Sequence, residues 1–204
     1  MTDRAMMAAA VMVAYLLGSF PAGYLVGRLW GVNVLEKGSG RTGGTNVFRS
    51  AGVLPALLTG ALDMGKGALA VWLAGQMSDW RLAQVLAGAA AIVGHNYSLF
   101  LRFRGGAGVG TSLGALAAIY PPAAVGLLLL LLVIMAITRY ASVGSLVVIT
   151  LMPVVLLALS LAGVLPSTYV LYGLLAWALI LYAHRPNICR LIQGTERRLG
   201  EKRG

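Results

Sequence analysis

Residues 142–183 read SVGSLVVITLMPVVLLALSLAGVLPSTYVLYGLLAWALILYA and contain no charged side chain. A membrane-spanning helix needs roughly 20 apolar residues, so this run is about twice the length of one span. Gly163 and Pro166 interrupt it near the middle. Proline cannot continue a helical hydrogen-bond ladder, and glycine permits a turn. The run therefore predicts two helices joined by a tight turn.

Four apolar blocks precede it, at about 6–30, 53–75, 82–101 and 111–137. The first three fit one span each. Pro121 and Pro122 should break the fourth, leaving a short half-helix over 108–120 and a longer helix over 122–138. The expectation is an all-α, polytopic transmembrane bundle of about seven spans, with residues 1–204 forming one integral membrane domain. Composition agrees, at 59% hydrophobic and 11% charged, against about 25% charged in a soluble domain. Arg4 followed by an apolar stretch has the outline of a signal peptide. The apolar run passes Pro21 and reaches Leu29–Trp30 without a small-residue cleavage site, so it reads as an uncleaved first helix.

The net charge of +10 is distributed unevenly. With the N-terminus outside, the inner segments carry Arg28, Lys37, Arg41, Arg49, Arg102, Arg104 and Arg139. The tail adds Arg185, Arg190, Arg197, Arg198, Lys202 and Arg203. The outer segments carry only Arg4 and Arg81, near Asp3 and Asp79. Positively charged loops stay cytoplasmic, so the C-terminus is expected inside. No basic run alternates with aromatics, which argues against nucleic acid. The charge instead suits anionic headgroups and an anionic substrate. Cys189 is the single cysteine, which rules out an internal disulfide and a multi-cysteine metal site. It reads as an incidental reduced thiol before it reads as a palmitoylation site. The two histidines, His95 and His184, have no carboxylate at metal-ligand spacing, so no metal and no cofactor are expected.

Three polar segments fall on the same inner side: GSGRTGGTNVFR (38–49), FRGGAGVGTS (103–112) and HRPNICRLIQGTE (184–196). In the second, Gly105, Gly106, Gly108 and Gly110 lie directly before an apolar helix, flanked by Arg102 and Arg104. Permissive backbone at a helix start makes an anion cradle; glycine for close helix packing is the plainer alternative. The first segment repeats the pattern. Ser39, Thr42, Thr45 and Asn46 offer neutral hydrogen bonds, and Arg41 and Arg49 offer charge. In the third, His184 can serve as a general base, a donor to phosphate or a structural residue. Asn187 and Glu196 can orient it. Asp63 and Lys66 are the only charges deep inside an apolar block, and their spacing lets them pair. Such a pair is either functional or a self-neutralising packing device. No serine elbow or Ser/His/Asp triad is present.

The chain resembles the bacterial acyl-phosphate-dependent glycerol-3-phosphate acyltransferases over nearly its whole length. GSFPAGYLVGRL, the GSG-to-NVFR stretch, LDMGKG, GHNYSLF, the glycine loop and the HRPNI-to-GTE tail carry the likeness. The resemblance implies seven spans, an outside N-terminus and an active site of three inner segments in the bacterial inner membrane. It implies transfer of an acyl chain from acyl phosphate to the sn-1 hydroxyl of glycerol-3-phosphate. The products would be lysophosphatidic acid and phosphate, in the first acylation of phospholipid synthesis. An acyl-phosphate-forming enzyme would act upstream. The family's first motif falls on Ser39 and Arg49, with Thr45 and Asn46 beside them. Its glycine-rich motif, linked to glycerol-3-phosphate binding, falls on Gly105, Gly106, Gly108, Val109 and Thr111. The third falls on His184 and Asn187, with Glu196 in a structural role. Two positions depart from the family pattern: Ala107 replaces a loop lysine, and Ser98 replaces a proline. Arg104 or Lys66 is expected to make up the lost cation. A weak or non-catalytic paralogue and a transporter of phosphorylated solutes are the alternatives.

Overall fold

The computed structural model describes residues 3–200, so Lys202 and Arg203 lie outside the described residues. Those residues form ten α-helices and no strand. The first apolar block divides at Pro21 into α1 (Asp3–Ser19) and α2 (Ala22–Leu29). A short helix α3 (Gly44–Ala51) ends the first polar segment and leads into α4 (Val53–Met77). Next comes α5 (Arg81–Asn96), which ends five residues before the third apolar block does. A 3-10 turn (Leu99–Leu101) replaces those last residues. Arg102 and Phe103 then adopt left-handed backbone.

The half-helix is α6 (Val109–Ile119), and α7 (Pro121–Thr138) starts on the proline pair. Proline at the first turn of a helix loses nothing, because that N–H has no partner anyway. The long apolar run divides into α8 (Ala141–Leu161) and α9 (Thr168–Ala183), with Gly163 at φ +72° in the turn. The short α10 (Arg185–Ile192) follows at once.

Four segments are long and apolar enough to cross a membrane: Asp3–Leu29, Val53–Met77, Pro121–Thr138 and Ala141–Leu161. The others are shorter, at 16 residues for α5, 11 for α6 and 16 for α9. These short helices are the inner ones. A core of Val85 and Ile92 (α5), Leu113 and Leu116 (α6), Ile149 and Met152 (α8) and Tyr172 and Ile180 (α9) is sealed from solvent. By contrast α7 is mostly exposed to the surroundings. Lipid supplies no hydrophobic force between helices, so close approach must come from small residues. Ala10 and Ala14 of α1, Ala70 and Ala74 of α4 and Ala87 and Ala91 of α5 form such a seam. Gly18 and Gly94 bring α1 and α5 together backbone to backbone.

Candidate active site

The first polar segment is built around Asn46. Its Oδ1 accepts the Ser39 N–H at 2.8 Å. Its Nδ2 donates to the carbonyls of Val34 (2.9 Å), Lys37 (3.1 Å) and Arg41 (2.8 Å). Gly38 stands at φ +63°, and a Cβ there would collide with Asn46 Oδ1. The Asn46 amide is therefore committed to shaping the turn.

The second segment is clamped onto the end of α5. The Gly106 N–H donates to the His95 carbonyl at 3.0 Å. A Cβ on Gly105 would strike the His95 and Asn96 backbone, and one on Gly106 the His95 ring. Gly108, at φ +86°, opens α6. The Thr42 N–H donates to the Gly105 carbonyl at 3.3 Å, joining the first turn to the second.

The third segment is tied to the first by two arginines. Arg41 donates to the Ala183 carbonyl at 2.5 Å and to Asn187 Oδ1 at 3.3 Å. Arg49 donates to the Arg197 carbonyl at 2.9 Å. Glu196 organises the tail: its Oε1 accepts from Asn187 (2.9 Å) and Ser142 (3.0 Å), and its Oε2 from Arg190 (2.8 Å). Burial pushes the Glu196 pKa up, but the hydrogen bonds from Asn187, Arg190 and Ser142, with the Arg190 charge, hold it below the usual value. Burial, then the neighbouring Arg190, lowers the Arg41 pKa.

His184 caps α9 and is buried. Its Nδ1 lies 2.9 Å from the Ile180 carbonyl. Only a protonated Nδ1 can bond a carbonyl, so in the neutral ring Nε2 carries the lone pair. Burial is the main cause of a lowered His184 pKa, with Arg41 adding to it, against the raising effects of the Ile180 carbonyl and Glu196.

All three turns line one cavity of 480 Å³. Ser39, Thr45, Asn46 and Arg49 come from the first turn, Gly108 and Val109 from the second, and His184, Asn187 and Glu196 from the third. Two helix N-termini, those of α3 at Gly44 and α6 at Val109, open onto it. Unpaired N–H groups and the positive dipole end at such sites favour anions. Arg41, Arg49, Arg190 and Arg197 all line the wall. Its apolar members are Met64, Leu113, Leu128, Leu131, Leu132 and Met135.

Lys66, Arg104, Gly105, Gly106 and Thr111 are not part of that wall. Lys66 pairs with Asp63 at 2.9 Å. Arg104 is exposed and bridges to Ser98. Gly105 and Gly106 are packing positions, and Thr111 is buried where its carbonyl faces Gly67. Neither Arg104 nor Lys66 therefore stands in for the cation missing at Ala107. Of the four arginines in the wall, Arg190 and Arg197 stand out in the sequence only as inner-side charge, whereas Arg41 is legible there as charge in the first anion-binding segment. The glycines on both sides of Arg41 are the available signal. Asp63 and His95 also line the cavity, which their positions in apolar blocks do not reveal.

Helix termini, arginines and leucines lining one cavity of an apolar helical bundle are the groups that a phosphate-bearing amphiphile needs. The chain belongs to the glycerol-3-phosphate acyltransferase family, whose model matches residues 8–194. It is 45% identical over 194 residues to glycerol-3-phosphate acyltransferase of Thermus thermophilus, covering 94% of each chain. It is 44% identical to glycerol-3-phosphate acyltransferase 2 of Moorella thermoacetica, covering 95% of this chain and 97% of that one. Its fold is similar to that of PlsY (YgiH), an integral membrane glycerol 3-phosphate acyltransferase. The TM-score is 0.84 for the glycerol 3-phosphate form, at 35% identity over 95% of this chain and 96% of that one. The lysophosphatidic acid form gives 0.83, at 35% identity over 95% of each chain. The chain is thus an integral membrane enzyme that acylates glycerol-3-phosphate.

Proposed function

We propose that the acyl donor is acyl phosphate and that transfer to the sn-1 hydroxyl takes place in the single cavity where the three turns meet. The observation that carries this reading is the cavity's mixed wall. Both substrates present a phosphate, and the helix N-termini and four arginines can hold two anions close together. The leucines of α7 and Leu113 of α6 give the acyl chain an apolar place beside them.

Acyl phosphate is a mixed anhydride, so its carbonyl is already activated. The protein's work is then to align the hydroxyl on that carbonyl and to stabilise the developing oxyanion with N–H groups and arginines. The hydroxyl oxygen bonds to the acyl carbon, the bond from that carbon to the phosphate oxygen breaks, and the hydroxyl proton passes to the departing phosphate. His184 Nε2, left as an acceptor, takes a hydrogen bond from the neighbouring, non-reacting hydroxyl and so orients the substrate. Ser39, Thr45, Gly108 and Val109 contribute neutral contacts to phosphate, and Asn187 holds Arg41 in position.

The test is purified protein in lipid nanodiscs with palmitoyl phosphate and labelled glycerol-3-phosphate. Labelled lysophosphatidic acid and inorganic phosphate should appear in equal amounts. Transfer from palmitoyl-CoA or palmitoyl carrier protein, with none from palmitoyl phosphate, sinks the donor assignment. A His184→Gln variant that loses activity together with a matching kinetic pKa would make His184 the base.

With seven spans and the N-terminus outside, this cavity opens at the cytoplasmic face of the bacterial inner membrane. Four long helices and the buried α5, α6 and α9 support that count, and an acyl-phosphate-forming enzyme then supplies the donor from the same side. Cys189, exposed on α10, is a built-in probe of sidedness. A membrane-impermeant maleimide should label it in inside-out vesicles only. Labelling in right-side-out vesicles reverses the topology.

A further inference from the structure

Asp63, Lys66 and His95 form a buried titratable cluster that the acylation chemistry does not use. Their exposures are 3%, 8% and 4%. Lys66 Nζ and His95 Nδ1 both face Asp63 Oδ1, at 2.9 Å and 3.3 Å. Lys66 also donates to the Phe20 carbonyl at 3.0 Å. That carbonyl lies at the break between α1 and α2, where a freed backbone group inside a membrane needs a partner.

An Asp–Lys pair would by itself account for helix packing. Two facts go further. Asp63 and His95 line the cavity, whereas Lys66 does not. Both of the cavity-lining members also lie beside the glycine-rich segment, His95 at Gly106 and Asp63 at Gly110, the second residue of α6. The His95 carbonyl accepts the Gly106 N–H, and its ring fills the space a Cβ on Gly106 would need. Asp63 Cβ lies 3.3 Å from the place of a Cβ on Gly110.

We propose that Asp63 and His95 are positioning residues that fix the glycine-rich turn for glycerol-3-phosphate binding, with Lys66 neutralising the carboxylate from outside the cavity. An unneutralised carboxylate in an anion chamber would repel the substrate. Lys66 removes that repulsion and anchors Asp63. The His95 imidazole carries the orientation of Asp63 to the backbone at Gly106. The inference rests on the assignment of the cavity to glycerol-3-phosphate acylation.

Asparagine can place its amide nitrogen where histidine has Nδ1, and glutamine where it has Nε2. His95→Asn therefore keeps a donor for Asp63 and His95→Gln does not. The expected result is a KM for glycerol-3-phosphate within about threefold of wild type for His95→Asn. For His95→Gln, which moves the polar nitrogen away from Asp63 Oδ1, it should rise about tenfold. The KM for acyl phosphate should stay unchanged in both. If His95→Gln does not fold, the double variant Asp63→Asn with Lys66→Gln replaces it. Removing both charges leaves no buried orphan ion, and that variant should also raise the glycerol-3-phosphate KM at constant stability. Equal KM values throughout, or losses shared by both substrates that follow the unfolding temperature, overturn the proposal. Calorimetric binding of glycerol-3-phosphate without donor separates the two readings. If wild type binds but transfers nothing, the acylation chemistry fails, and the dissociation constants of the variants still decide the role of Asp63 and His95.

Discussion

The two glycine-rich turns share their glycines and hold their shape by different means. In the turn at 38–46, one side chain does the organising. Asn46 bonds four backbone groups, and Gly38 and Gly40 take left-handed backbone around it. Gly43 faces open space in the cavity wall, where a Cβ would meet no atom within 4 Å. In the turn at 105–110, backbone is pressed on backbone. Gly105 and Gly106 exist because the end of α5 leaves no room for a side chain. Glycine content signals a permissive chain, but only the neighbours say whether the permission is used for φ, for packing or for a ligand.

That contrast can be broken first at Asn46. Asn46→Ala strands the Val34 and Arg41 carbonyls and the Ser39 N–H, and should cost about 3 kcal/mol or more. A thermal melt in detergent measures it, and an undisturbed melt would mean the turn has another organiser. Gly106→Ala attacks the second turn. Overpacking against His95 should cost about 2 kcal/mol and most of the acyltransferase rate, whereas Gly43→Ala should change stability by less than about 0.5 kcal/mol. Equal effects at Gly106 and Gly43 would erase the distinction between the turns.

Glu196→Gln tests the third turn and has a pH signature. The folded Glu196 pKa lies below its ordinary 4.5. A carboxylate shifted down contributes fully above the unfolded value, and the contribution is lost as pH falls through the folded one. The wild-type advantage over Glu196→Gln, about 1.5 kcal/mol, should hold from pH 8 to pH 5 and shrink below pH 4.5. The smallest effect is expected from Ala107→Lys. Ala107 lines the cavity, but four arginines already do. The glycerol-3-phosphate KM should move by less than about threefold, and a tenfold gain, about 1.4 kcal/mol, would show that the turn lacks a cation.

Hydropathy reveals the helical segments because lipid and buried helix both demand apolar residues. Gly163 and Pro166 mark the turn between α8 and α9, and the proline pair at 121 marks the start of α7. The break at Pro21 is marked by the proline itself, although Phe20 and Ala22 are as apolar as their neighbours and hydropathy runs straight through it. The early end of α5 is hidden: Leu99 and Phe100 are exposed apolar residues of a turn. The polar turns are legible as anion sites from glycine and arginine. Their wiring is not, because Arg41 meets Asn187 across 146 positions. The apolar part of the cavity wall is not legible either. Leu128 and Leu131 look like any other leucines of α7, and only the fold turns them toward Ser39, Gly108 and His184.

The most direct test of convergence takes one variant from each turn: Arg49→Ala, Gly108→Val and Asn187→Ala. Each is assayed for kcat/KM with glycerol-3-phosphate at saturating acyl phosphate. Three turns sharing one chamber predict that every variant falls at least about tenfold, Arg49→Ala and Asn187→Ala through a lost charge-assisted contact and Gly108→Val through strain at φ +86°. Wild-type kcat/KM in any one of them contradicts a single cavity built from all three.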